Sequence, residues 1–227
     1  MSMKKIGFIS VPDNTKAILW DMDGTLIDTL SFDLKACNNL LQKYLGRRAV
    51  VTREYIMSIL AYSVPKFWQR IFEKISADLG INSDETIRSK IVDEFTELRE
   101  KNPFIILPGV ETALADAKRS GLKNVVVSNN PVEQVKKVLA NAGIANNFEL
   151  VVGTNSEIGM REKPAPDMYI YALKQLGIAP GEAVVVEDSL LGGESGKGAG
   201  CFTIGVATGT TPKEDLLKAT RFFDLVI

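Results

Sequence analysis

Asp21 and Asp23 stand two residues apart in Asp21-Met22-Asp23-Gly24-Thr25, directly behind the apolar run Ala17-Ile18-Leu19-Trp20. Two further polar groups occupy the same kind of place. Ser128-Asn129-Asn130 follows Val125-Val126-Val127, and Glu187-Asp188-Ser189 follows Ala183-Val184-Val185-Val186. Lys163, in Glu162-Lys163-Pro164-Ala165-Pro166-Asp167, opens a helical stretch behind Leu150-Val151-Val152. Together these residues offer a carboxylate nucleophile, acids able to bind a hard cation, hydroxyl and amide donors, and one ammonium. Phosphoryl transfer needs such a set, because its transition state spreads negative charge over three equatorial oxygens and is stabilised mainly by positioned opposite charge. Taken singly, an Asp-x-Asp pair is commonly a solvated turn, and Ser128 alone reads as a strand-end cap. The joint placement behind apolar runs is what points to a site.

The chain contains no histidine. Proton transfer near neutral pH therefore falls to carboxylates, lysine, tyrosine, cysteine or water. Histidine ligands for zinc are also excluded, which directs any metal chemistry to oxygen-bound cations such as magnesium. Cys37 and Cys201 belong to no CxxC pattern, so a reducing, cytoplasmic setting without disulfides is expected. A net charge of −1 supplies no basic field for nucleic acid. No uninterrupted run of about 18 apolar residues exists to span a membrane, and Ile6 to Ile9 is too short for a signal-peptide core. These features leave neither nucleic acid nor a membrane as an expected partner.

The apolar runs are continuous rather than alternating, as in strands covered on both faces of a parallel sheet. Cys201 to Val206 and Phe222 to Ile227 read as a fifth and a sixth. Helical periods lie between them at Val110 to Arg119, Val132 to Ala142 and Asp167 to Leu176, closed by Gly121, Gly143 and Gly177. That alternation predicts an α/β fold of the doubly wound, Rossmann-like kind with a mainly parallel sheet. Residues 30 to 101 break it, with helical periods at Phe32 to Tyr44, Thr52 to Ala61, Pro65 to Leu79 and Asp84 to Lys101. About 70 residues without a strand predict an inserted helical domain over 30–101, between core segments 1–29 and 102–227.

Asp21-Met22-Asp23-Gly24-Thr25-Leu26-Ile27-Asp28 resembles the first motif of the haloacid dehalogenase superfamily of phosphotransferases. Ser128-Asn129-Asn130-Pro131 resembles its second, Lys163-Pro164-Ala165-Pro166-Asp167 its third and Glu187-Asp188-Ser189 its fourth, and the similarity runs from about Lys16 to the C-terminus. The helical insert resembles the cap domain of the branch containing phosphoglycolate phosphatase and beta-phosphoglucomutase. The resemblance implies a magnesium-dependent phosphatase of a small phosphorylated metabolite, with Asp21 as nucleophile, forming an aspartyl-phosphate, and Asp23 as general acid and then base. It implies metal ligands in the Asp21 and Asp188 side chains and the Asp23 backbone carbonyl, with Glu187 binding directly or through water. Lys163 would offset charge. Ser128 and the backbone N–H groups around Gly24 and Thr25 would bind the phosphoryl oxygens, while Asn129, in the same phosphate-binding segment, is expected to shape its loop.

Two departures bear on function. In the mutase branch a histidine lies just beyond the first motif, where this chain has Asp33, so hydrolysis is expected rather than isomerisation. After Ser189, relatives commonly show an alanine-rich helix, whereas Gly192, Gly193, Gly196 and Gly198 intervene here. Each glycine weakens a helix interior by about 0.5–1 kcal/mol, which predicts either a loosened helix or one that another backbone approaches closely. Within the insert, Lys66, Trp68, Arg70 and the pair Arg47-Arg48 are candidates for contact with substrate.

Overall fold

The computed structural model describes residues 2–227. The chain begins with a hairpin, β1 (Met3–Ile6) and β2 (Ile9–Pro12), paired antiparallel. Gly7 supplies the positive φ of its turn and lies so close to a helix that a Cβ there would meet Ala113 at 2.6 Å. β3 (Ala17–Trp20) and β4 (Ile27–Asp28) follow, then the helices α1 (Leu30–Leu45), α2 (Arg53–Ile59), α3 (Val64–Leu79) and α4 (Glu85–Lys101). The chain continues through β5 (Ile105–Ile106), α5 (Val110–Arg119), β6 (Lys123–Val127), α6 (Val132–Asn141) and β7 (Leu150–Val152). It ends with α7 (Asp167–Leu176), β8 (Ala183–Glu187), α8 (Leu190–Gly198), β9 (Phe202–Gly205), α9 (Lys213–Lys218) and β10 (Leu225–Val226).

Six strands form one sheet in the order β10-β9-β8-β3-β6-β7, and every neighbouring pair in it is parallel. Alternate residues feed two separate cores, as the period of a strand requires. Ala17, Leu19, Val125, Val127, Ala183 and Val185 pack with Met168, Tyr169 and Leu173 of α7 on one face. Ile18, Trp20, Val126, Val184 and Val186 pack with α5, α6 and the β1–β2 hairpin on the other. The buried Asn124 is tolerated inside β6 because its amide accepts from Trp20 Nε1 at 3.0 Å and donates to the Leu114 carbonyl at 3.1 Å.

The four helices α1–α4 bury a hydrophobic cluster of their own around Trp68, with Phe95 and Phe67 ring centroids at 5.2 and 5.8 Å. Thr52 and Asp84 cap α2 and α4 by accepting from the backbone N–H groups of Tyr55 and Ile87. The two segments that connect this helical unit to the core are β4 and β5, which pair with each other antiparallel through Ile27–Ile106 and Asp28–Ile105.

The glycine-rich stretch is a helix, α8, capped by Ser189 Oγ accepting from the Gly192 N–H. Side chains, rather than another backbone, press against it. A Cβ at Gly192 would lie 1.8 Å from the Glu187 carboxylate, and one at Gly193 would lie 2.4 Å from the Phe223 ring. The glycines therefore pass a helix over two groups that leave no room for methyls.

Candidate active site

Register places the polar groups side by side. Trp20 pairs with Val126 on one flank of β3 and with Val186 on the other. Asp21, Ser128 and Glu187 consequently leave the sheet together at its carboxyl edge, where ligands of open α/β sheets bind. Backbone bonds fix each exit: Asp21 N–H donates to Val186 C=O at 3.0 Å and Ser128 N–H to Val152 C=O at 3.0 Å.

At that edge the carboxylates of Asp21, Glu187 and Asp188 lie within 4.8 Å of one another, all buried. The Lys163 ammonium sits among them, donating to Asp21 Oδ1 at 2.7 Å, Glu187 Oε1 at 2.6 Å and the Val127 carbonyl at 2.8 Å. Two of the three acids thus share one cation, with Asp188 beside them. Burial, followed by repulsion from Glu187, holds Asp21 well above the usual carboxylate range despite Lys163. Burial and Glu187 likewise push Asp188 up to about 7, against two hydrogen bonds from Thr210. Lys163 is held firmly charged: burial works against its proton, but Asp21 and Glu187 outweigh it and raise its pKa. A site of oxygen donors with surplus negative charge fits a hard divalent cation.

Glu187 occupies a socket. Tyr169 Oη donates to Oε1 at 2.9 Å, Ser189 Oγ donates to Oε2 at 3.1 Å, and the missing side chain of Gly192 makes the space. Asp188 is gripped by the loop after β9, through the Thr210 N–H at 2.7 Å and its hydroxyl at 2.9 Å. Gly24, with φ +82°, gives way to the same carboxylate, since a Cβ there would lie 2.7 Å from Asp188 Oδ2.

Asp23 faces the other side. Its Oδ1 accepts from Arg99 Nη2 of α4, and its Oδ2 accepts from Asn130 Nδ2 at 3.1 Å. Arg99 also donates to Asp33 Oδ2 of α1 at 3.0 Å, so one guanidinium joins the core to both ends of the helical unit. Asp33 is fully buried, and burial pushes it up to about 7 although Arg99 pulls it down.

Ser128 Oγ accepts from the Asn130 N–H at 3.2 Å, which leaves its own proton to donate. Asn129 does shape its loop: Nδ2 donates to Ala61 C=O in the helical unit at 2.8 Å, and Oδ1 accepts from the Lys163 N–H at 2.8 Å. The N–H groups of Gly24 and Thr25 face inward, donating to Ile27 C=O at 2.9 Å and Met22 C=O at 3.4 Å. These bonds close the tight turn behind Asp23. Thr25 Oγ1 lies 3.5 Å from Asp188 Oδ1.

Of the candidates in the helical unit, Lys66 and Arg70 flank the Tyr62 ring, and the others lie farther from the acids. Trp68 is in its core, Lys66 pairs with Glu162, and the Arg70 guanidinium lies 5.5 Å from the Tyr62 ring centroid. Arg47 and Arg48 are exposed between α1 and α2. In their place Leu60, Ala61 and Tyr62, from the segment joining α2 and α3, cover the acid cluster. Sequence reasoning missed Arg99, Asn130, Tyr169 and Thr210. Of these only Asn130, within the polar group behind Val127, carried a local signal, which assigned it no role of its own.

The model of the haloacid dehalogenase-like hydrolase family matches residues 15–200. Hexitol phosphatase A of Escherichia coli is 29% identical over 203 residues, covering 87% of this chain and 86% of that protein. Phosphoglycolate phosphatase of Nitrosospira multiformis is 26% identical over 206 residues, covering 89% and 88%. Among solved structures, CbbY of Rhodobacter sphaeroides in complex with xylulose-1,5-bisphosphate superposes with a TM-score of 0.75 at 24% identity, covering 94% of this chain and 93% of that one. No helix among the described residues is long and apolar enough to cross a membrane. The chain belongs to the haloacid dehalogenase-like hydrolase family.

Proposed function

We propose that this protein is a magnesium-dependent phosphatase that hydrolyses a small phosphorylated metabolite through an aspartyl-phosphate on Asp21. The observation that carries this reading is the single Lys163 ammonium shared by Asp21 and Glu187 beside Asp188, at the ends of two adjacent strands. Lys163 fixes one Asp21 oxygen and leaves the other to attack phosphorus. Magnesium held by the Asp21 and Asp188 carboxylates and the Asp23 carbonyl, with Glu187 behind them, would offset the repulsion between nucleophile and phosphate.

Asp21 forms its bond to phosphorus as the bond to the leaving oxygen breaks, and Asp23 delivers a proton to that oxygen. Asp23 then takes a proton from water, which attacks phosphorus, releases phosphate and restores the Asp21 carboxylate. Arg99 and Asn130 orient Asp23 for both transfers. Ser128 Oγ donates to a phosphoryl oxygen. The helical unit serves as the cap that covers the reacting groups through Leu60, Ala61 and Tyr62.

Asp33, where a mutase would carry histidine, is bound to Arg99, and this supports water over a sugar hydroxyl as acceptor. Phosphate release from p-nitrophenyl phosphate and acetyl phosphate, dependent on magnesium and abolished by chelation, is the expected result. Faster conversion of beta-glucose 1-phosphate to the 6-phosphate than release of phosphate would replace hydrolase by mutase.

A further inference from the structure

A cleft of ≈ 550 Å³ opens between the helical unit and the core. It shares Ala61, Tyr62 and Ser189 with the cradle that holds Asp21, Asp188 and Lys163, so the two spaces adjoin. The cradle itself encloses only ≈ 10 Å³, and the organic part of any substrate must lie outside it. The cleft has the size of a small-molecule site, for which about 300–1,000 Å³ is usual.

Its walls are chemically one-sided. Met57, Tyr62, Leu190, Leu191 and Pro212 present apolar and aromatic surface, and its charged lining residues are Glu54 and Asp215, both acids. Lys218, outside the lining, pairs with Asp215 at 3.1 Å, and Glu54 makes no ion pair among the described residues. Outside the lining, Lys163 is committed to Asp21 and Glu187, Arg99 to Asp23 and Asp33, and Lys66 to Glu162, while the Arg70 guanidinium rests over the Tyr62 ring, 5.5 Å from its centroid. A second negative charge on the substrate would sit against apolar surface beside two carboxylates, with no cation among the lining residues to meet it. Desolvating an uncompensated charge is strongly unfavourable, whereas an uncharged, partly apolar group loses nothing there and gains from burial.

We infer that this cleft receives the leaving alcohol, and that the substrate is a phosphate monoester whose leaving alcohol bears no negative charge and presents an apolar or aromatic face. The inference rests on the phosphatase reading above and narrows it, setting aside carboxylate-bearing esters, bisphosphates and pyrophosphate.

The test is a panel of kcat/KM values with magnesium. p-Nitrophenyl phosphate, adenosine 5′-monophosphate and a hexitol 6-phosphate are set against phosphoglycolate, inorganic pyrophosphate and a sugar bisphosphate. Uncharged leaving groups are expected to lead by about tenfold or more, the factor that about 1.4 kcal/mol supplies. Ser58→Lys and Leu190→Lys each place an ammonium at an exposed position of the cleft lining. In either variant the ratio of charged to uncharged substrates should rise by about tenfold. A wild-type preference for phosphoglycolate, pyrophosphate or the bisphosphate overturns the inference, as does a ratio unmoved in both folded variants. In those cases phosphate release from p-nitrophenyl phosphate leaves the phosphatase reading standing. Failure to release phosphate from any panel member or from acetyl phosphate defeats both.

Discussion

Two buried cations organise this protein, and they are held in opposite ways. Lys163 sits between Asp21 and Glu187, and every partner it has belongs to the core, fixed by the register of β3 and β8. Arg99 sits between Asp23 and Asp33, and its partners belong to different parts of the molecule. The proposed nucleophile, Asp21, is therefore built into the sheet, while the proposed acid–base group, Asp23, is held by Arg99 of the helical unit together with Asn130 of the core. On the proposed mechanism, the difference teaches how a helical unit can take part in catalysis without supplying the attacking atom: Arg99 fixes where Asp23 points.

Breaking the second arrangement has the largest expected effect on stability. Arg99→Met leaves Asp33 buried with no cation and removes one partner of Asp23. Stripping one member from a buried ion pair costs about 3–5 kcal/mol, measurable as a fall in denaturant midpoint. The pH dependence sharpens it. Asp33 is raised to about 7 in the folded protein, so its neutral form favours folding, and the stability it contributes below about pH 4 is lost as pH rises through about 7. The variant should therefore lose more at about pH 8 than at about pH 6, where protonation spares the unpaired acid. An equal loss at both values would mean that Asp33 is not the group left exposed to the penalty.

Gly192→Ala probes the first arrangement. The added methyl would overlap the Glu187 carboxylate, which Lys163, Tyr169 and Ser189 hold in place. Overpacking of this kind costs about 1–3 kcal/mol. Because Glu187 must shift relative to Lys163, kcat should fall by about tenfold or more, a change that corresponds to about 1.4 kcal/mol in the barrier. Stability lost with kcat unchanged would show that the Glu187 socket matters only to packing.

A further prediction concerns the proposed metal. Asp188 is raised to about 7 and Asp21 is raised as well, so a cation must displace protons to bind below neutrality. Magnesium affinity measured by calorimetry should weaken by about tenfold per pH unit, for each proton displaced, as pH falls below about 7. Affinity that is flat from about pH 8 to about pH 5.5 would remove these acids from the metal site.

The two arrangements also differ in how far they could be read from sequence. The strand-end placement of Asp21, Ser128 and Glu187 and the parallel sheet were legible because strands buried on both faces leave continuous apolar runs, whereas the strand order was not. The Arg99–Asp33 pair was not legible. Its members lie 66 positions apart on separate helices and meet where α1 packs on α4, a pairing that neither helical period specifies. The β1–β2 hairpin was missed for a related reason: Ile6, Ile9 and Val11 look like one short apolar run until the turn at Gly7 folds it onto α5. The glycines of α8 were visible as an anomaly, but their reason, the Glu187 carboxylate and the Phe223 ring, exists only in three dimensions.

The central claim is that Asp21 attacks phosphorus. Rapid acid quenching during turnover of acetyl phosphate with magnesium, followed by peptide mass mapping, reads it directly. The account predicts phosphoryl mass on the peptide that contains Asp21, absent in Asp21→Asn, with that folded variant also losing turnover by about 10⁴-fold or more, as nucleophile removal does elsewhere. Phosphoryl mass on any other residue, or Asp21→Asn turning over at the wild-type rate, would contradict it.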